Sequence, residues 1–216
     1  MSEAVKRQRS YVSPRRREQA EATRQAILNA AERLFLRDGY AATPVPAVAA
    51  EAKVALKTVY VVFATKSGLL HELWNIRLGG DAEPVPVLDR PWYRNLLAEP
   101  DPRRLLRRFA AQSRQVKQRA GALMTVIRNG AATDPAVADL WRLIQDEFHA
   151  VLRPIATRLS TDGVLAEHLT TETASDLLWT LNHPDVWQLL CVERGWTPDA
   201  YQDWLGRSFE SQLLRG

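Results

Sequence analysis

Cysteine is nearly absent from this chain of 216 residues: Cys191 stands alone. A single cysteine excludes an intramolecular disulfide and a cysteine-cluster zinc site. Histidine is scarce as well. His71, His149, His168 and His183 show no metal-ligand spacing, so no metal site is expected. There is no nucleophile elbow, phosphate loop or convergent acid/base set. An enzyme is therefore not expected, and no catalytic residue or cofactor is assigned. No apolar run approaches the ~20 residues of a membrane span. The basic N-terminus lacks the apolar stretch of a signal peptide. Together these absences point to a cytoplasmic protein that does not engage a membrane.

What is present is unevenly spread. Hydrophobic residues make up 46% of the chain and charged residues 25%, enough apolar material for a core in an ordinary soluble protein. The net charge of +4 says little by itself, but its distribution says more. Residues 1–78 carry 13 Lys/Arg against 7 Asp/Glu, and the remainder carries 16 against 18. A basic first third on a near-neutral remainder suggests that only the first part meets a polyanion. The competing explanation is a merely solvated basic tail.

Residues 1–17, with Lys6, Arg7, Arg9, Arg15, Arg16 and Arg17, read as a flexible basic arm. From Glu18 to Asp38, the pairs Ala26/Ile27, Ala30/Ala31 and Leu34/Phe35 recur at helical spacing and predict one buried face. Gly39 suits the left-handed stop of that helix. Thr43-Pro44 reads as an N-cap followed by a first-turn proline. Short helices are expected to about Glu51 and from about Ala55 to Val61. A linking helix capped by Thr65 follows, over 65–78. The Pro-, Asp- and Gly-rich stretch 79–91 is the best domain boundary. Beyond it, Asp101-Pro102, Asp134-Pro135 and Thr197-Pro198 each announce a helix. Segment 135–160 is strongly periodic, with Pro154 expected to kink it. Helices are also expected over about 171–182, onward from the His183-Pro184 break to Glu193, and over 198–214. No alternating strand stands out, so the fold class is all-α.

The stretch from Gly39 to Leu70 resembles the DNA-binding signature of the TetR family of one-component repressors. The resemblance rests on Gly39, Tyr40, Thr43, Val48, Ala49, Ala52, Val54, Thr58, Val59, Tyr60, Phe63, Thr65, Lys66 and Leu69. It covers about 50 residues with the first helix included. It implies a three-helix helix-turn-helix domain over 18–78 and a larger helical ligand-binding and dimerisation domain over 79–216. Physical reasoning agrees. Two short helices at a tight turn can present the second to a major groove about 12 Å wide. Val59 and Phe63, four apart, should be core. Leu56 and Lys57 are candidates for base edges, Leu for a thymine methyl and Lys for guanine. By resemblance Thr58, Tyr60 and Lys66 hold phosphates, and Thr43 at the second helix's start joins this interface. The sequence departs from the pattern at Lys53, where a turn glycine is usual, and at Ala55, which cannot cap the recognition helix. Val62 replaces an aromatic or His, and Pro44 and Pro46 remove two N–H donors. Lys53 and the basic arm are expected to supply replacement phosphate contacts.

The larger domain is less legible. Six of seven tryptophans follow the DNA-binding helices. An aromatic on a helical stripe is usually core, but Trp141, Phe148, Trp179 and His183 are the candidates to line a ligand cavity. Cys191 should be a small buried apolar residue. The expected partners are double-stranded DNA, a second copy of the chain and a small-molecule effector. The apolar stripes of 171–193 and 198–214, the latter with Tyr201, Trp204, Leu205, Phe209 and Leu213, are expected to form the dimer face. The alternative function is a ligand-independent architectural or corepressor-bound DNA-binding factor.

Overall fold

A computed structural model of the chain describes residues 14–80 and 85–215, and among these ten helices and no strand occur. The first, α1 (Pro14–Asp38), buries Ile27, Leu28, Ala30, Ala31, Leu34 and Phe35 along one side. It stops at Gly39, whose φ of +81° is the left-handed conformation that glycine adopts without a Cβ penalty. Then come α2 (Val45–Glu51), α3 (Leu56–Phe63) and α4 (Lys66–Gly79). Thr65 caps α4 by accepting from the Gly68 amide at 2.9 Å.

A single turn at Val87–Asp89 leads into α5 (Pro91–Leu97), a helix that sequence periodicity does not announce. The long helices α6 (Pro102–Ala131) and α7 (Pro135–Thr161) begin at Asp101 and Asp134, both of which accept first-turn amides. Pro154 lies inside α7. A proline there withdraws one rung of the helical ladder, and the Tyr93 hydroxyl donates to the nearby Val151 carbonyl. The chain closes with α8 (Thr171–Leu181), α9 (Pro184–Trp187, running into a π-helical turn to Glu193) and α10 (Pro198–Leu213).

Three expectations change. Arg15, Arg16 and Arg17, read as part of a flexible arm, form the exposed start of α1; residues 1–13 lie outside the described residues. Segment 79–91 divides the chain but not the core. One apolar cluster joins α1–α4 to Ala120, Leu123, Met124, Val126 and Ile127 of α6 and to Val137, Leu140 and Ile144 of α7. The other cluster joins α5, the start of α6, the end of α7, α8 and α10. The apolar stripe of α10 also has a different use. Tyr201, Leu205, Phe209 and Leu213 are wholly buried within the protomer, against α6 and α8, and leave only half-buried Trp204 near the surface.

Candidate nucleic-acid interface and internal cavity

The interface starts from a strained, uncapped turn. Lys53 closes α2 with φ +56°, a conformation costing a side chain about 1 kcal/mol. Ala55 at the N-cap of α3 offers no side-chain acceptor. Val59 and Phe63 anchor α3 inward, as their spacing predicts. The opposite face is bare: Leu56 is 40% exposed, Tyr60 47% and Val61 76%, with Lys57 exposed beside them. Thr58 is half-buried at the edge of that face. Val61 was missed in the sequence, although its place five residues after Leu56 and four after Lys57 puts it on their side. Ion pairs brace this unit: Arg33 to Glu51 joins α1 to α2, and Arg24 to Glu72 joins α1 to α4. The Arg24 guanidinium also lies 5.0 Å from the Phe63 ring.

Two residues expected at the DNA are engaged elsewhere. Thr43 is 2% exposed and caps nothing; its hydroxyl donates to the Gly39 carbonyl at 2.8 Å, tying the loop to the end of α1. Pro44 takes the N-cap position of α2 instead. Lys66 turns its ammonium over the Tyr40 ring at 4.0 Å. Tyr40 in turn donates to Asp134 Oδ2 at 2.7 Å, at the turn between α6 and α7. Burial pulls the Lys66 pKa down while Asp134 opposes it, and the Tyr40 hydrogen bond holds the Asp134 carboxyl below its ordinary range. This joint therefore fastens the first three helices to the larger domain. Its packing is tight: a Cβ on Gly130 would lie 3.2 Å from Tyr40.

Behind α4 lies a cavity of about 450 Å³. Trp74, Asn75, Ile76 and Leu78 of α4 form one wall, and α6, α7 and the 85–92 segment form the others. Of the four ligand candidates, only Phe148 lines it. Trp141 packs against the cluster shared with α1–α4. Trp179 meets the His183 ring edge-on at 4.8 Å and packs on the second cluster. His183 caps α9 instead: its Nδ1 accepts from the Asp185 amide at 3.3 Å. The Nε2 of the neutral ring lies 3.0 Å from Gln145 Nε2. Burial lowers the His183 pKa, which favours that neutral ring.

Sequence reasoning missed the polar group in the cavity wall. Lys117 is 6% exposed and donates to Asn182 Oδ1, while Asn182 Nδ2 donates to Ser113 Oγ at 2.9 Å. Burial pushes the Lys117 ammonium down to about 7. A signal was available. Ala110, Ser113, Lys117, Ala120 and Met124 recur at steps of three and four, which places a lysine on a buried helical stripe.

Residues 27–73 match the family model of the bacterial regulatory proteins of the tetR family. These residues are similar to the DNA-binding module of that family. The fold extends the likeness over most of the chain. NalD from Pseudomonas aeruginosa, the secondary repressor of the MexAB-OprM efflux pump, superposes with a TM-score of 0.71 at 23% identity, over 91% of this chain and 98% of that one. A Saccharomonospora viridis protein solved with choline gives 0.66 at 17% identity, over 91% and 100%. The TetR-family regulator PfmR from Thermus thermophilus gives 0.62 at 20% identity, over 87% and 96%. No curated protein matches the chain in sequence. In this TetR-type module, α2 and α3 are the helix-turn-helix pair. No described helix is long and apolar enough to cross a membrane.

Proposed function

We propose that this protein is a homodimeric repressor of the cytoplasm, released from its DNA when a small molecule fills the cavity behind α4. The observation that carries the reading is the double use of α4. Its Leu69, Leu70, Leu73 and Trp74 sit in the core shared with α1–α3, while Trp74, Asn75, Ile76 and Leu78 form cavity wall. A ligand that fits only one position of α4 therefore biases the position of α3, which is the differential affinity any switch requires. On the DNA, Leu56, Lys57 and Val61 face base edges, and Lys53, Thr58 and Tyr60 hold the backbone. Arg15–Arg17 reinforce that hold. Three cations in a first helical turn oppose the helix dipole, and a polyanion partner accounts for their placement.

Leu189, Val192 and Trp196 leave apolar surface exposed on the α9 side of the larger domain, and a second copy covers it. That NalD is a repressor and that the Saccharomonospora protein holds choline supports both halves of the reading. The test is in vitro selection of DNA with the full chain, followed by sedimentation of the complex. The expected result is a near-palindrome with half-sites about one helical turn apart, bound by two chains. Selected DNA without two-fold symmetry, or a single bound chain, overturns the dimeric reading.

A further inference from the structure

We propose that the cavity takes an apolar organic acid whose carboxylate sits on Lys117. The inference rests on the reading of this cavity as the effector site and names the chemistry of its occupant.

The hydrogen-bond inventory around Lys117 leaves N–H donors over, while Gln145 Oε1 is an unpartnered buried acceptor elsewhere in the same wall. An ammonium has three N–H donors, and Lys117 directs one at Asn182 Oδ1. Asn182 has its oxygen on Lys117 and its nitrogen on Ser113. Ser113 accepts from Asn182, and its own hydroxyl proton meets no acceptor among the described residues. No described carboxylate pairs with Lys117, and its other close partner is the Tyr201 ring at 5.7 Å. A buried ammonium without a counter-ion is expensive and seeks an anion.

The rest of the wall decides the sign and shape of the ligand. Two carboxylates belong to it, but Glu72 is paired with Arg24 and Glu147 is exposed. Arg90, the other cation of the wall, donates to the Val85 and Gly79 carbonyls. Positive charge thus lies inside and negative charge is neutralised or wet. Ile76, Val87, Trp92, Phe109, Ile144 and Phe148 supply an apolar surface for the body of the ligand. A volume of about 450 Å³ fits an acid with a chain of moderate length. A quaternary ammonium can meet the aromatic rings of this wall but is repelled by the Lys117 charge, and an alcohol leaves that charge unanswered.

Three probes with the same tail separate these cases: dodecanoate, dodecanol and dodecyltrimethylammonium. Each is titrated calorimetrically into the full-length protein and into K117M. The expected result is dodecanoate at least tenfold tighter than dodecanol and the cation weakest. In K117M the acid and the alcohol should bind within about threefold of each other, with dodecanol binding retained as proof of an intact cavity. Equal binding of acid and alcohol by the natural chain, a preference for the cation, a K117M preference still tenfold, or no binding of any probe overturns the inference. Tight, Lys117-dependent binding of dodecanoate that leaves DNA affinity unchanged supports the acid site and removes its role as effector site, so the two readings fail separately.

Discussion

The proposed DNA-reading face of α3 and the wall of the cavity are built in opposite ways. The first takes its residues from Lys53 to Val61, nine consecutive positions folded into one turn and one short helix. The second gathers residues from Glu72 to Pro184, carried on several helices and one irregular segment. The face is exposed and apolar for its position; the wall is buried and holds an unpaired cation. The face can change its preferences through single side chains without disturbing a core, whereas the wall cannot change without touching the packing that orders α3. On the proposed function, reading and sensing are separable in sequence but not in mechanics.

The strongest way to break this comparison lies in the shared core. Ile127 of α6 is fully buried among the residues of α1–α4. Ile127→Ala should cost about 2–5 kcal/mol of stability and weaken DNA binding, although it lies far outside the helix-turn-helix. Thermal melts and fluorescence anisotropy check this; unaltered DNA affinity in a destabilised protein means that the two parts fold independently.

Lys57→Ala should cost about 1–3 kcal/mol on the selected site and relax preference at one base pair. Anisotropy on selected and scrambled DNA separates the outcomes, since equal weakening on both makes Lys57 a phosphate clamp and passes readout to Leu56 and Val61.

Lys117→Met should act on the wall in the other direction, stabilising the ligand-free protein at pH 7 by about 1–3 kcal/mol. The folded Lys117 pKa of about 7 lies below the ordinary 10.5. Between those values the unfolded chain binds the extra proton, so the natural protein gains stability as pH rises. The advantage of the variant should therefore shrink steadily from pH 7 to pH 10. His183, Cys191 and Tyr201 are the titratable groups around Lys117, and the difference between variant and natural chain cancels their own titration to first order. Melts at pH 7 and pH 9.5 measure it.

The smallest effect expected is at the turn. Lys53→Gly should relieve the left-handed strain and add about 0.5–1 kcal/mol of stability, while flattening the salt dependence of DNA binding through one lost phosphate contact. A stabilised variant with the same salt slope would remove Lys53 from the interface.

The same contrast explains what could be read from sequence. Caps are local, so Thr65, Asp101, Asp134 and Thr197 marked their helices correctly. The inward anchors Val59 and Phe63 followed from spacing within one helix. Tyr40 was legible as a motif residue but not as the partner of Asp134, 94 positions away. Thr43 and Lys66 were assigned outward because the motif carries no information about what packs behind it. Trp141, Trp179 and His183 failed as cavity residues because aromatic character does not reveal which side of a helix meets a void. The stripe of α10 looked like surplus apolar surface until α6 and α8 were seen to cover it.

The central claim is that the cavity and α3 share one equilibrium through α4. Linkage makes the coupling reciprocal, so a ligand that weakens DNA must itself be weakened by DNA to the same degree. The decisive measurement is the affinity for dodecanoate with and without saturating selected DNA, beside the affinity for that DNA with and without saturating dodecanoate. The account predicts the same factor in both, of about 5–150. A dodecanoate affinity unchanged by DNA would contradict it.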